Sequence, residues 1–356
     1  MRRGSLGLAF MFVGVAVGVG CGADGTASGR DAGARVDAGA GIDAGAPRDA
    51  GPPRDAGPPI DAATCESPST PAGPEVELAP EFATDYTVWA LGPVPGVPNP
   101  LGGIVVQHDD PSTLLVAGAS ENPDGAIYAI HVRRDACGHI LAFEGTATQV
   151  ATAPYVDANL VYGPDALLVY TEWPQYTLSQ LAPGATAPTR RTDLRTLGIP
   201  SAGDQGPGGI GFVPPPLAAA GGLRLVTWPA GHWYHVGVTL TAGLYTIDSL
   251  TETATLPNNP GGFAYVPAGS PGFPSQSLIV AEWVQGDATR DRVAVYETDA
   301  QGDPAVATRR EFFTRFPRPW GAYFEPVTGD YLFLTWGAGD DRVYLVRGFM
   351  PPPIIF

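Results

Sequence analysis

Four stretches of this chain end alike: Leu168-Val-Tyr-Thr-Glu-Trp173, Leu223-Arg-Leu-Val-Thr-Trp228, Leu278-Ile-Val-Ala-Glu-Trp283 and Tyr331-Leu-Phe-Leu-Thr-Trp336. Their tryptophans are 55, 55 and 53 residues apart. A second motif precedes them: Gly102-Gly103-Ile-Val-Val, Ala158-Asn159-Leu-Val-Tyr, Gly208-Gly209-Ile-Gly-Phe, Gly261-Gly262-Phe-Ala-Tyr and Trp320-Gly321-Ala-Tyr-Phe, spaced by 56, 50, 53 and 59. Third strands follow the tryptophans, as in Trp233-Tyr-His-Val-Gly-Val and Arg292-Val-Ala-Val-Tyr, and fourth strands appear at Ile140-Leu-Ala-Phe and Tyr245-Thr-Ile-Asp. Four short antiparallel strands repeated about five times predict an all-β protein, a β-propeller. The last repeat lacks its fourth strand, and the orphan stretch Asp85-Tyr-Thr-Val-Trp-Ala-Leu precedes the first. Setting that stretch outside the last blade closes the ring and removes an open edge. Five blades are expected, with six as the alternative if Pro200–Gly208 hides strands.

Outward from the repeats, residues 1–20 read as a signal peptide, with Arg2-Arg3 before the apolar run Leu6–Gly20. That run is shorter than the roughly 20 apolar residues a membrane span needs. It ends Val17-Gly18-Val19-Gly20-Cys21, which resembles a bacterial lipobox with Gly18 in place of the usual Leu. The resemblance implies that Cys21 is acylated and becomes the mature N-terminus, with an ordinary cleaved signal peptide as the alternative. Residues 21–80 then form a linker in which Asp31, Asp37, Asp43, Asp49, Asp55 and Asp61 recur every six residues. No aromatic residue lies between Phe12 and Phe82. Such a stretch buries too little apolar surface to offset its chain entropy, so a disordered stalk is expected rather than a β-helix. The propeller is assigned to residues 81–356.

Charge and cysteine usage narrow the function. The 356 residues carry 36 acids and 20 basic side chains, every one of them Arg, for a net −16. Residues 81–356 hold 26 acids against 14 Arg, so −12 belongs to the propeller. That balance excludes nucleic acid, which requires basic clusters, and favours basic or cation-bearing partners. In an exported protein with Cys21 acylated, Cys65 and Cys137 are expected to form one disulfide. Cys137 falls in a turn on the bottom face, where the chain enters to begin the orphan strand.

The stretch Val293-Ala-Val-Tyr-Glu-Thr-Asp-Ala-Gln-Gly-Asp-Pro-Ala-Val-Ala-Thr-Arg-Arg, with Pro326-Val-Thr-Gly-Asp-Tyr-Leu-Phe-Leu-Thr-Trp and Val346-Arg-Gly-Phe, resembles secreted bacterial propeller-like proteins of unknown function. More remotely, the repeats are similar to gluconolactonase-like propellers. Those relatives carry a metal-facing Glu before the Gly that opens an inner strand. Here Gly102, Ala158, Gly208, Gly261 and Trp320 stand in that place, so the resemblance implies that the carboxylate is missing.

Candidate ligand-binding residues gather on the top face, where second strands turn into third strands and each blade passes to the next. They are Glu172, Trp173, Trp228, His232, Glu282, Trp283, Trp336 and Asp340, with Asn99, Glu121, Asp157, Asn159, Asp204, Asn258, Asn259, Asp287, Arg318 and Asp341 nearby. The tryptophans would stack sugar or peptide groups, although a Trp fixed in every blade more commonly packs between blades. Glu172 and Glu282 would converge on a cation, calcium being the one cofactor such carboxylates suit, or act as an acid/base pair. Solvated carboxylates are the plainer expectation, because Thr227 and Thr335 interrupt the ring. His232 and His235 fall on opposite faces of one strand and cannot share a metal. Neither a nucleophile elbow nor a phosphate loop or Rossmann fingerprint is present.

Two functions are carried forward. One is a non-catalytic binding module, monomeric and lipid-anchored at the outer membrane or cell surface, for a protein or carbohydrate ligand. The other is a divergent lactonase- or glycosidase-type hydrolase using Glu172, Glu282 and His232.

Overall fold

In the computed structural model the described residues are 65–200, 206–285, 287–337 and 339–355. The chain divides into two units, residues 1–60 and 61–356, and the described residues belong to the second. The signal peptide, Cys21, most of the expected stalk and Asp204 lie outside them.

The described part is all β, and its strands form five antiparallel sheets arranged as a propeller. From inner to outer strand, blade 1 comprises Ile104–Gln107, Asp110–Gly118, Ala126–Arg134 and Ile140–Thr152. Blade 2 comprises Val156–Tyr162, Leu168–Glu172, Thr177–Leu181 and Arg190–Asp193. Blade 3 comprises Gly206–Phe212, Leu223–Trp228, His232–Thr241 and Leu244–Thr255. Blade 4 comprises Pro260–Tyr265, Ser277–Glu282, Arg292–Glu297 and Arg310–Arg315. Blade 5 comprises Pro319–Phe324, Tyr331–Thr335, Val343–Arg347 and, from the start of the domain, Thr87–Gly92. The orphan strand therefore closes the ring as its sequence predicts, pairing Thr87 with Arg347 and Val88 with Val346.

The strands read as continuous apolar runs because both faces of each blade are covered. In blade 5, Leu332 and Leu334 pack towards blade 1, while Tyr331 and Phe333 between them pack towards blade 4. Alternation along a strand sends neighbours to opposite faces, so one run fills two interblade layers. Five such layers, one per interface, make up the core.

Residues 65–80, counted with the linker on sequence, lie on the ring. Ala72 and Ala90 donate backbone hydrogen bonds to Val88 and Thr70. Glu77–Leu78 adds a short fifth strand outside blade 4. Cys65 and Cys137 are bonded, with Cα atoms 5.5 Å apart across 72 residues of sequence.

At the axis the inner strands approach backbone to backbone. A Cβ on Gly262 would lie 2.5 Å from the Trp320 carbonyl oxygen, and one on Gly209 would lie 2.5 Å from that of Gly261. Gly262→Ala is expected to cost about 1–3 kcal/mol, the usual range for overpacking, read as a lowered denaturation midpoint. Replacing both Cys65 and Cys137 by Ser should remove up to roughly 4 kcal/mol by the chain-entropy relation; an unchanged midpoint would show that the staple adds nothing.

Candidate functional site

The inner strands of four blades bulge at the same level. In blades 3, 4 and 5 two residues stand opposite one partner residue, for example Gly208–Gly209 between the pairs Pro207/Thr227 and Ile210/Leu225. Blade 2 carries three in that place, Asp157, Ala158 and Asn159, between Val156/Glu172 and Leu160/Tyr170. The added residue sends the Asn159 side chain across the axis. Its amide nitrogen donates to the carbonyls of Ala322 (3.0 Å) and Phe263 (3.4 Å). Its oxygen accepts from the amides of Ile210 (3.3 Å) and Phe263 (3.2 Å). One buried amide thus bonds to blades 3, 4 and 5 and fills the channel.

Above Asn159 the channel is plugged by indoles. Trp173, Trp228, Trp283 and Trp336, from the second strands of four blades, meet Trp320 from the start of blade 5. Ring centroids lie 5.4 Å apart for Trp228–Trp283 and 4.8 Å apart for Trp283–Trp336. Trp228 and Trp283 are buried, and Trp173 and Trp336 half-buried at the rim. These rings pack against one another and leave their faces little room for a ligand.

Glu172 and Glu282 are buried ion pairs, not solvated carboxylates. Each is fully buried. Glu172 is gripped by Arg191, with Nε to Oε1 at 2.9 Å and a second bond from Nη2, and by the Ser179 hydroxyl. Glu282 is gripped by Arg309 through Nε (2.9 Å) and Nη2 (2.6 Å), and it also accepts from Tyr296 (2.5 Å) and Asn258 (3.1 Å). Bidentate guanidinium contacts supply the counter-charge that makes such burial tolerable. In the other two blades Thr227 and Thr335 accept from the amides of His232 and Arg342 at 3.0 Å each. The residue before Trp therefore ties its second strand to the strands outside it in all four blades. Both carboxylates, Glu172 and Glu282, are thus committed to guanidinium partners inside their own blades. His232 bonds Glu252 (2.8 Å) within its own blade, and Asp340 bonds Arg318 (2.9 Å) at the surface. His235, three residues further along the same strand, reaches Asp303 (2.6 Å), so the two histidines have different partners.

One acidic pair at the top is not neutralised. Asp157 is fully buried and accepts one hydrogen bond, from Trp320 Nε1 at 3.1 Å; its Oδ2 has no partner among the described residues. Burial, then the charge of nearby Glu121, pushes its carboxyl well above the usual carboxylate range. Burial likewise pushes Glu121 up to about 8. Among the described residues one trio has metal-ligand spacing, Cys65, Asp135 and Cys137, and its two sulfurs are joined in the disulfide.

The opposite end is open. Past Asn159 the inner strands diverge into a cavity of about 480 Å³ on the bottom face. Its walls are apolar, with the rings of Tyr162, Phe212, Phe263, Tyr265 and Tyr323 among aliphatic side chains, and among the described residues no Asp, Glu or Arg lines it. Residues 352–355 cross beneath it, and Ile355 packs on the blade 2–3 core. The sequence analysis placed binding at the top and did not anticipate this cavity. The alternation of Val161-Tyr162, Ala264-Tyr265 and Ala322-Tyr323 at inner-strand ends was the available signal.

No known family and no curated protein matches the chain. Among solved structures it is similar to the PQQ-bound aldose sugar dehydrogenase of Streptomyces coelicolor, with 14% identity over 80% of this chain and 98% of that one and a TM-score of 0.39. It is also similar to a gluconolactonase from Xanthomonas campestris, with 13% identity over 83% and 99% and a TM-score of 0.41. For a luciferin-regenerating enzyme the values are 10%, 82%, 96% and 0.43.

Two outcomes are expected. Glu282→Gln should destabilise the protein by about 3–5 kcal/mol, because it strands the Arg309 charge, as measured by guanidinium unfolding. Glu121, whose folded value is raised from 4.5 to about 8, contributes stability that is fully present below pH 4.5 and lost as pH rises through about 8. Unfolding at pH 5 and pH 8.5 should therefore show a fall that Glu121→Gln reduces; an equal fall in both proteins would contradict the assignment.

Proposed function

We propose that this chain is an exported, lipid-anchored protein whose propeller is a non-catalytic binding module, engaging its ligand at the bottom of the ring. The observation that carries the binding reading is the contrast between the two ends of the axis. At the top, Asn159, five indoles and Arg-paired acids close the channel. At the bottom lies a cavity of about 480 Å³ with apolar and aromatic walls, within the range of small-molecule sites. A hydrolase built on Glu172 and Glu282 would need those carboxylates free to take and give protons, and each is committed to a guanidinium. The export and anchoring rest on Arg2-Arg3, the apolar run and Cys21; two or more acyl chains give stable attachment where one does not. The disulfide fits an oxidising compartment.

Cys21→Ser should move the protein from the membrane pellet to the soluble fraction of cells expressing it. Retention in the pellet after a carbonate wash would refute the lipid anchor. For the binding reading, the soluble Cys21→Ser protein should be stabilised by small molecules in a thermal-shift screen, and Ala268→Trp at the exposed cavity rim should abolish those shifts. Shifts that survive Ala268→Trp would place binding elsewhere.

A further inference from the structure

The chemistry of the bottom cavity narrows its ligand, an inference that rests on the binding reading above. Among the described residues no Asp, Glu or Arg side chain lines the cavity. His108, at its rim, already has Asp109 as a partner through Nδ1 at 2.8 Å. A charged ligand would give up its hydration with no counter-charge to receive it, a loss that an apolar wall does not offset.

Two of the three lining tyrosines already have a hydrogen-bond partner at the hydroxyl oxygen. Tyr265 donates to the Gly302 carbonyl at 2.8 Å, and the Tyr162 oxygen accepts from the His108 amide at 3.4 Å. Asn159, at the floor, uses both ends of its amide on the neighbouring strands. Two side-chain amides remain. Gln107 and Gln276 line the cavity half-buried, and neither side-chain amide has a hydrogen-bond partner among the described residues. Each offers a donor and an acceptor in an otherwise apolar wall. The segment Pro352–Ile355 bounds the open side, so the space is a chamber rather than an extended peptide groove.

We propose that this chamber binds an uncharged, ring-containing apolar small molecule that carries a carbonyl or hydroxyl group, its rings lying against the aromatic walls and its oxygen meeting the amides of Gln107 and Gln276. The volume of about 480 Å³ suits a molecule of drug-like size.

The test uses the soluble full-length Cys21→Ser protein and two fluorescent naphthalene probes. Prodan is neutral and carries a ketone; 1-anilinonaphthalene-8-sulfonate is of similar size and anionic. Prodan should bind saturably with a blue-shifted emission, at least tenfold more tightly than the sulfonate. Ala268→Trp should weaken prodan at least tenfold; Ala268 is exposed, so the change leaves the core intact. The double variant Gln107→Leu/Gln276→Leu should weaken prodan at least threefold. If the sulfonate binds as tightly as prodan and Ala268→Trp blocks both, the cavity binds but the neutral-ligand assignment is wrong. If prodan is indifferent to the glutamine changes, the assigned oxygen contact is wrong. If neither probe saturates, or neither responds to Ala268→Trp, both this inference and the binding reading fall.

Discussion

Closure of the axis is the constraint on which the rest of this structure depends. Five inner strands meet so closely that Gly209, Gly262 and Gly321 lie against neighbouring backbone, where any Cβ would come within 2.5 Å of a carbonyl oxygen. Bulges at this level release backbone groups from the ladders, and the Asn159 amide bonds to those of three other blades. An unpaired polar group here would be costly, so Asn159 both fills the space and satisfies it. Everything above follows. With no open channel, the tryptophans that end the second strands have only one another to pack on.

The same economy governs the charges. The chain has no Lys, and four of its buried acids are met by Arg: Glu172 by Arg191, Glu282 by Arg309, Glu325 by Arg134 and Asp303 by Arg224. A guanidinium presents a planar fork to a carboxylate and is weakly hydrated, so it suits burial better than an ammonium does. Carboxylates that look like chemistry on sequence are thereby turned into struts between strands. Asp157 and Asp291 are exceptions: Asp157 accepts from the Trp320 indole and Asp291 from the backbone amides of Val284 and Arg318.

The bottom face gathers what the top excludes. The disulfide at Cys65 and Cys137, the His139–Asp330 contact at 2.7 Å and the Arg134–Glu325 pair brace the bottom turns of blades 1 and 5. Phe349 is buried between blades 4 and 5, and Met350 donates its amide to Ser270 at 3.1 Å, which directs the following residues beneath the cavity. A rigid rim around an apolar chamber is the kind of preformed space in which a small ligand loses little to reorganisation.

The sequence by itself determined the blades and the strand that closes them, while the choice of five over six came from the tertiary structure. Each blade repeats one pattern of apolar runs and turns, and a repeat is legible wherever local residues carry it. The disulfide was legible too, because reading Cys21 as an acylation site leaves two cysteines to pair. The Glu–Arg pairs were not, although Arg191 and Arg309 stand 19 and 27 residues beyond their acids, in or just before the outer strands of the same blades. Linear spacing does not say which side chains share a layer. The role of Asn159 was hidden for a related reason: one added residue in a bulge redirects a side chain while leaving the motif around it unchanged. The cavity was decided by tertiary structure alone, since its walls come from all five inner strands and a distant terminal segment. No stretch of sequence contains it; it exists only when the ring has closed.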